Sequence, residues 1–382
     1  MTEDDQGIIW DPLMERFHEE YPDIKTTIEI LPWGGRREKM LAAYAAGQAP
    51  DIAATDIDTI QQFGRSDCME PLDDILGPEV WSDIPETLYA GLSWQGKRIM
   101  YPKTFYCDGY VANKALVAEV GWDPETPPAT WDDFRELGAL AAEKGYFLTA
   151  GTTVSICYTF TGWVWQAGGR ELTDDGNTSL IDGEAGVAAC AFEAEMFVNG
   201  WVPIEGAVGS EEEVTSTSDY FLQGRQVLSS AMTAGSYVMA MRQAPEIEMI
   251  LCPALKNVRQ VKPGWADCWS IFRNSDKSAA VWLSWMARPE NAGFYCSATG
   301  YTPPGEKAKE YWQTEPEQIA FMEANSPYTE MNQDNFAWYQ LRKLTYAPYR
   351  QAAALGKMTP QEAMTAAAAE LNAKIQEELA AV

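Results

Sequence analysis

"MLAAYAAGQAPDIAATD", Met40 to Asp56, changes character twice in one short passage. An alanine-rich run with helical spacing stops at Gly47, and Ala49-Pro50-Asp51 turns the chain. The apolar segment Ile52 to Thr55 reads as a buried strand that leads into two acids, Asp56 and Asp58. Upstream, Trp10, Leu13, Phe17 and Tyr21 fall on one helical face ended by Pro22. "TTIEILPW" (Thr26 to Trp33) alternates like a strand and opens into Gly34-Gly35, and Arg37 to Ala46 is the next helix. Helix, strand, helix, strand in this order predicts an α/β fold with a parallel sheet and right-handed crossovers. In open α/β sheets ligands bind beyond the carboxyl ends of the strands, where Asp56, Asp58 and the stretch 33–36 fall. The same acids have a second use, because either can cap the helix through Ile60, Gln61 and Phe63.

A chain of 382 residues is too long for one ordinary core, so two domains are expected. With 46% hydrophobic and 22% charged residues the composition is globular, and no apolar run reaches the length of a membrane span. The formal net charge of −28 would repel a phosphate backbone, which argues against a nucleic-acid partner. Seven cysteines, at 68, 107, 157, 190, 252, 268 and 296, show no CxxC spacing, and His18 is the single histidine. No metal site follows from that pattern, and nucleophilic catalysis by a Cys–His or Ser–His pair is disfavoured. Cys190 and Cys296 read as small core residues; a Cys252–Cys268 disulfide is compatible with the sequence but not implied by it.

Local signals are clear further along. "TWDDFRELGALAAEKG" is a capped helix with Thr130 and Asp133 as the capping pair and Trp131, Phe134, Leu137 and Leu140 on its apolar face. "ELTDDGNTSLID" reads as a hairpin turned at Asp175-Gly176, its acids explained by turn chemistry rather than by a calcium loop. Thr359-Pro360-Gln361-Glu362 opens an alanine-rich helix reaching Leu379, and Glu211-Glu212-Glu213 reads as a solvated loop.

Six stretches then occur in a characteristic order: "AAGQAPDIAATD", "GKRIMYPKTFYCDGYVANKALVAEVGWDPETPPATWDDF", "WVWQAGGRELTDDGNTSLID", "FLQGRQVLSSAMTAGSYV", "PGWADCWSIF" and "PENAGFYCSATGYTPP". Together they resemble the family 1 extracellular solute-binding proteins of ABC importers, the maltose-binding-protein-like sugar receptors. The resemblance covers nearly the whole chain. It implies a two-lobed periplasmic-binding-protein fold of type II kind, with three interlobe crossings, a ligand cleft between the lobes and hinge closure around the ligand. The crossings would fall near Tyr106 to Tyr110, Cys252 to Gly264 and Tyr301 to Pro304. One lobe would combine residues 1–107 with 262–303, the other 108–261 with 304–382. In the family a strand precedes the first helix, whereas this chain starts at Met1-Thr2-Glu3-Asp4, in the loop after it. A start placed too late, or a trimmed chain, is therefore expected, with the first strand and any signal peptide upstream.

The resemblance further implies a monomeric receptor without catalysis or cofactor. It would bind an oligosaccharide or related polyol and deliver it to the importer's transmembrane subunits, from a periplasm or a lipid anchor. Sugars need aromatic platforms and polar side chains that satisfy hydroxyls. Trp131, Trp282 and Trp285 lie on helical faces and read as structural. Candidates for the ligand are Trp33, Tyr106, Tyr158, Trp163, Tyr237, Trp265 and Tyr301, of which Tyr237 and Trp265 occupy family positions that often face the cleft. Asp56, Asp58, Arg36 and Asp267 are the polar partners. Arg36 near a helix start can instead hold an anion, pair with Glu38 or point into water. Two other readings stay open: the same fold taking a charged small molecule such as a glycerol phosphate, sugar acid or polyamine, and a secreted glycoside-active enzyme with paired carboxylates.

Overall fold

Among the described residues nine strands carry the sheets: β1 (Ile52–Asp56), β2 (Ser93–Trp94), β3 (Lys97–Arg98), β4 (Tyr101–Cys107), β5 (Gly109–Asn113), β6 (Leu228–Met232), β7 (Met249–Cys252), β8 (Lys262–Ile271) and β9 (Thr329–Glu330). The structure, a computed structural model, describes residues 6–31, 36–150, 157–208, 217–331 and 337–380, the side chains at 6, 87, 90, 157, 158, 208 and 217–219 excepted. The chain divides into two units, Met1–Tyr106 with Trp265–Thr314, and Cys107–Gly264 with Glu315–Val382. The last changeover lies later than the expected 303/304. The segment Lys307–Tyr311 stays with the first unit because it packs on the helix Pro289–Thr299, where a Cβ at Gly293 would meet the Ala308 carbonyl at 2.6 Å.

In the first unit the strand order is β1-β8-β4, with β1 and β8 antiparallel from Ile52↔Ile271 to Asp56↔Asp267. This corrects the expected parallel sheet. That expectation assumed that strands close in sequence pair, whereas the partner of β1 comes from far down the chain and runs against it. Residues 26–29 alternate in exposure, but the stretch 26–31 belongs to no strand, because alternation without a ladder partner makes none. Under the sheet lies an aromatic core. Trp10 meets Trp269 at 5.8 Å and Tyr295 at 5.7 Å, Trp269 meets Trp282 edge-on at 5.4 Å, and Phe17 meets Trp285 at 5.2 Å.

The second unit holds the sheet β6-β5-β7, antiparallel throughout, and β9 pairs in parallel with the first residues of β8. Helices Trp131–Glu143, Cys157–Gln166, Glu184–Val198, Tyr339–Ala354 and Pro360–Ala380 surround its main core. Trp131 stacks flat on Phe192 at 4.1 Å, and its indole N–H donates to Gln166 Oε1. Two fully desolvated ion pairs tie the helix Tyr339–Ala354 into this core, Arg342 with Glu171 at 2.6 Å and Arg350 with Glu193 through two N–H donors.

The expected capping boxes at Thr130/Asp133 and Thr359/Glu362 are formed, as is the turn at Asp175-Gly176, where Gly176 takes φ +72° and Leu172 bridges Ser179. Cys252 and Cys268 are free buried thiols in different units, so no disulfide joins them. Cys190 and Cys296 are buried as expected. Glu211 to Glu213 lie outside the described residues. No helix among the described residues is long and apolar enough to cross a membrane.

Candidate functional site

β1 carries an apolar face into the sheet and ends at Asp56, after which a single 3-10 turn, Ile57–Thr59, holds Asp58. Neither acid caps a helix through its side chain, which corrects the capping expectation. Instead the Thr59 hydroxyl donates to the Asp56 carbonyl at 2.6 Å, and both carboxylates are taken by arginines from the start of the helix Arg36–Ala45. Arg36 donates to both Asp56 oxygens at 3.1 and 2.9 Å. Arg37 bridges the two acids, at 3.1 Å to Asp56 and at 3.0 and 2.8 Å to Asp58. The Asp58 side chain is fully buried and Arg36 is 12% exposed, so these are desolvated, charge-assisted bonds. Arg36 is thus committed to Asp56 rather than to Glu38 or open water.

β8 enters the first unit beside them. Trp265, Asp267 and Trp269 alternate onto one face of that strand, and Asp267 stands directly opposite Asp56. Lys103, from β4, reaches this face as well. Its ammonium is 3.8 Å from Asp267, donates to the Tyr295 hydroxyl at 3.2 Å, and lies 4.8 Å from the centre of the Trp269 ring. Burial alone would lower the Lys103 pKa, but Tyr295 and Asp267 hold it above the usual lysine range. Burial pushes the Asp267 carboxyl up to about 6, and the neighbouring Asp56 charge adds to the rise against the opposing pull of Lys103. One Asp267 oxygen, Oδ1, has no hydrogen-bond donor among the described residues.

Two further candidates sit at the same strand ends. Tyr106, next to last in β4, meets Tyr301 at 5.3 Å with the rings inclined by 40°, and the Phe105–Thr302 bridge holds the two segments in register. Both rings are partly exposed, while Trp265 is 5% exposed. The first unit therefore gathers Arg36, Asp56, Asp58, Tyr106, Trp265, Asp267 and Tyr301 at the end of its sheet where the chain passes to and from the second unit.

The second unit does not assemble its candidates in that way. Trp163 is 5% exposed in the main core, edge-on to Phe192 at 5.6 Å. Tyr237, on the first turn of the helix Ala234–Gln243, packs on Phe321 at 5.5 Å in a separate cluster. Both placements are those of core residues, because the helices that carry them turn these faces inward. Trp33 and the side chain of Tyr158 lie outside the described residues. Arg37, Lys103 and Tyr295 were missed by the sequence reading. A lysine within the apolar run of β4 was the one available signal; Arg37 reads simply as a helix-surface residue. No group of three or more His, Cys, Asp and Glu placed to hold a metal ion occurs among the described residues.

Three comparisons bear on this arrangement. A protein of Brucella abortus described as a binding protein is 22% identical over 96% of this chain and 90% of its own length. The crystal structure of the cyclic alpha-maltosyl-1,6-maltose binding protein of Arthrobacter globiformis superposes with a TM-score of 0.80 at 21% identity, over 99% of this chain and 97% of that one. UgpB of Mycobacterium tuberculosis, solved with glycerophosphocholine, does so with a TM-score of 0.77 at 17% identity, over 96% and 95%. At these identities the structural likenesses show a shared α/β fold. The sequence profile of the bacterial extracellular solute-binding proteins matches residues 2–293, and with this two-unit fold behind it the chain belongs to that family.

Proposed function

We propose that this protein is the receptor of an ABC importer for a neutral carbohydrate, held at the strand ends of the first unit and passed on without chemical change. The observation that carries this reading is the charge closure of the site. Arg36 and Arg37 are spent on Asp56 and Asp58, and Lys103 lies against Asp267 and Tyr295, so the cluster offers hydrogen-bonding edges without a free excess of either sign. Such a wall suits hydroxyls, which both donate and accept. Tyr106 and Tyr301 supply a partly exposed aromatic surface for the C–H face of a sugar ring. The named ligand of the Arthrobacter protein is a maltose-type sugar, which agrees with this choice.

A second reading, an anionic ligand, has two observations in its favour. Arg36, Arg37 and Lys103 lie together at the strand ends, and the Mycobacterium relative was solved with a phosphodiester. An anionic ligand would have to draw an arginine from its aspartate. The receptor works outside the cytoplasmic membrane, free in a periplasm or lipid-anchored, as a monomer docking on permease subunits. The relatives are binding proteins, which argues against glycoside hydrolysis by the paired acids. The test is a thermal-shift screen with maltotriose and other neutral oligosaccharides, monosaccharides, sugar acids, glycerol phosphates and polyamines. A ligand at 100 times its Kd adds about 2.7 kcal/mol to stability. Shifts confined to sugar acids or glycerol phosphates would overturn the neutral-carbohydrate reading, and hydrolysis of a bound oligosaccharide would overturn the receptor itself.

A further inference from the structure

Asp56 and Asp267 face each other across an antiparallel strand pair, and both are more than nine-tenths buried. Two ionised carboxylates in that position repel, and the surroundings treat them unequally. Asp56 receives Arg36 on both oxygens and Arg37 on one. Asp267 has the Lys103 ammonium at 3.8 Å, beyond hydrogen-bonding distance, with a weaker pull from the Arg36 charge, and among the described residues its Oδ1 has no donor. Below it on the same strand face begins the tryptophan core, with Trp269 against Trp10 and Trp282, so no water-like medium screens the charge from that side.

We propose that Asp56 and Asp267 hold one proton between them, and that this shared proton makes ligand binding at the strand ends proton-linked. The carboxylic acid on Asp267 then donates to the Asp56 carboxylate, which supplies the missing partner and removes the repulsion. Lys103 on β4 stays protonated, held up by Tyr295 and Asp267, and Arg36 and Arg37 are permanent cations. Tyr295, on the helix Pro289–Thr299, and Cys268, on the same strand as Asp267, are pushed upward by burial and stay neutral at ordinary pH. Asp58 is neutralised by Arg37. Asp267 is left as the group that titrates near neutrality, which agrees with the upward push that its burial gives it.

The consequence for the ligand rests on the carbohydrate reading above. While the pair holds its proton the cluster carries one positive charge in excess, which favours an anion; loss of the proton restores the balance of three cations and three carboxylates that suits neutral hydroxyls. Affinity for a neutral sugar therefore rises with pH through the titration of the pair, and affinity for an anion falls.

The first test needs no ligand. Carbon-13 NMR of the aspartate carboxyls in the whole protein, between pH 4 and 8, is expected to show one carboxyl titrating near pH 6. It should vanish in Asp267→Asn, and in Asp56→Asn the Asp267 resonance should titrate at lower pH. No aspartate titrating above pH 5, or an unchanged titration in either variant, overturns the proposal. The second test measures Kd for maltotriose by calorimetry from pH 5 to 7. Affinity should rise by up to about tenfold in the wild type and stay flat in Asp267→Asn. A flat wild-type curve with measurable binding overturns the linkage. If maltotriose does not bind, the NMR titration alone decides the shared proton, and it is the carbohydrate reading that has failed.

Discussion

Replacing Asp58 by alanine separates a side chain that builds the site from one that touches the ligand. Its carboxylate is fully buried, and both its oxygens accept from Arg37 Nη2, at 3.0 and 2.8 Å. Charge-assisted bonds of this kind are worth about 1.5–3 kcal/mol, and stripping one partner from a fully buried pair costs about 3–5 kcal/mol. The upper figure does not apply here, because Arg37 is 20% exposed and retains Asp56 at 3.1 Å. A loss of about 2–3 kcal/mol is expected, or roughly 5–10 °C in the melting of a unit of this size. Urea unfolding followed by tryptophan emission measures the free energy, with calorimetry to separate the transitions of the two units. Arg37→Met provides the other corner of a double-mutant cycle, with a coupling of at least about 1 kcal/mol expected. A cost below about 0.5 kcal/mol, or costs that simply add in the double variant, would refute the view that Asp58 is a structural anchor for the arginines.

Other groups give sharper contrasts. Glu193→Gln removes the carboxylate charge that pairs with the Arg350 guanidinium, buried against Phe160 at 4.6 Å, and should cost about 3 kcal/mol; a loss under 1 kcal/mol in urea unfolding would show the pair to be solvated. Lys262, at the start of β8, is 5% exposed, donates to Asn325 and has its pKa lowered to about 8 by burial. The folded protein gives up this proton before the unfolded chain does, so the unfolded state binds more protons from pH 8 up to the ordinary lysine range. Stability should therefore rise with pH through that window in the wild type, and Lys262→Met should abolish the rise; identical pH slopes in unfolding free energy would show that burial does not perturb this lysine.

What could be seen in advance was local. Thr130 with Asp133 and Thr359 with Glu362 satisfy helix-end N–H groups within three residues, so their pattern carries its own explanation. The turn at Asp175-Gly176 is equally self-contained. Asp56 could be placed at a strand end, but its partners could not. Arg37 lies one helix away and Asp267 comes from a strand contributed over two hundred positions later, and spacing says nothing about such meetings. The stretch 26–31 failed for the converse reason: its alternation holds over 26–29, and a strand is made by its neighbour as much as by itself.

That β8 pairs with β1 has a bearing on how the chain is made. Thr55 and Ser270, hydrogen-bonded side by side in the finished sheet, are separated by 215 positions. At translation speeds of roughly 5–20 residues per second, β1 waits about 10–40 s for its partner to leave the ribosome. During that interval the first unit cannot close its tryptophan core, because Trp269, Trp282 and Tyr295 have yet to be made. The first unit is therefore among the last parts of the chain able to fold, although its first strand is made early, because its core is completed only by residues from the far side of the second unit's sequence.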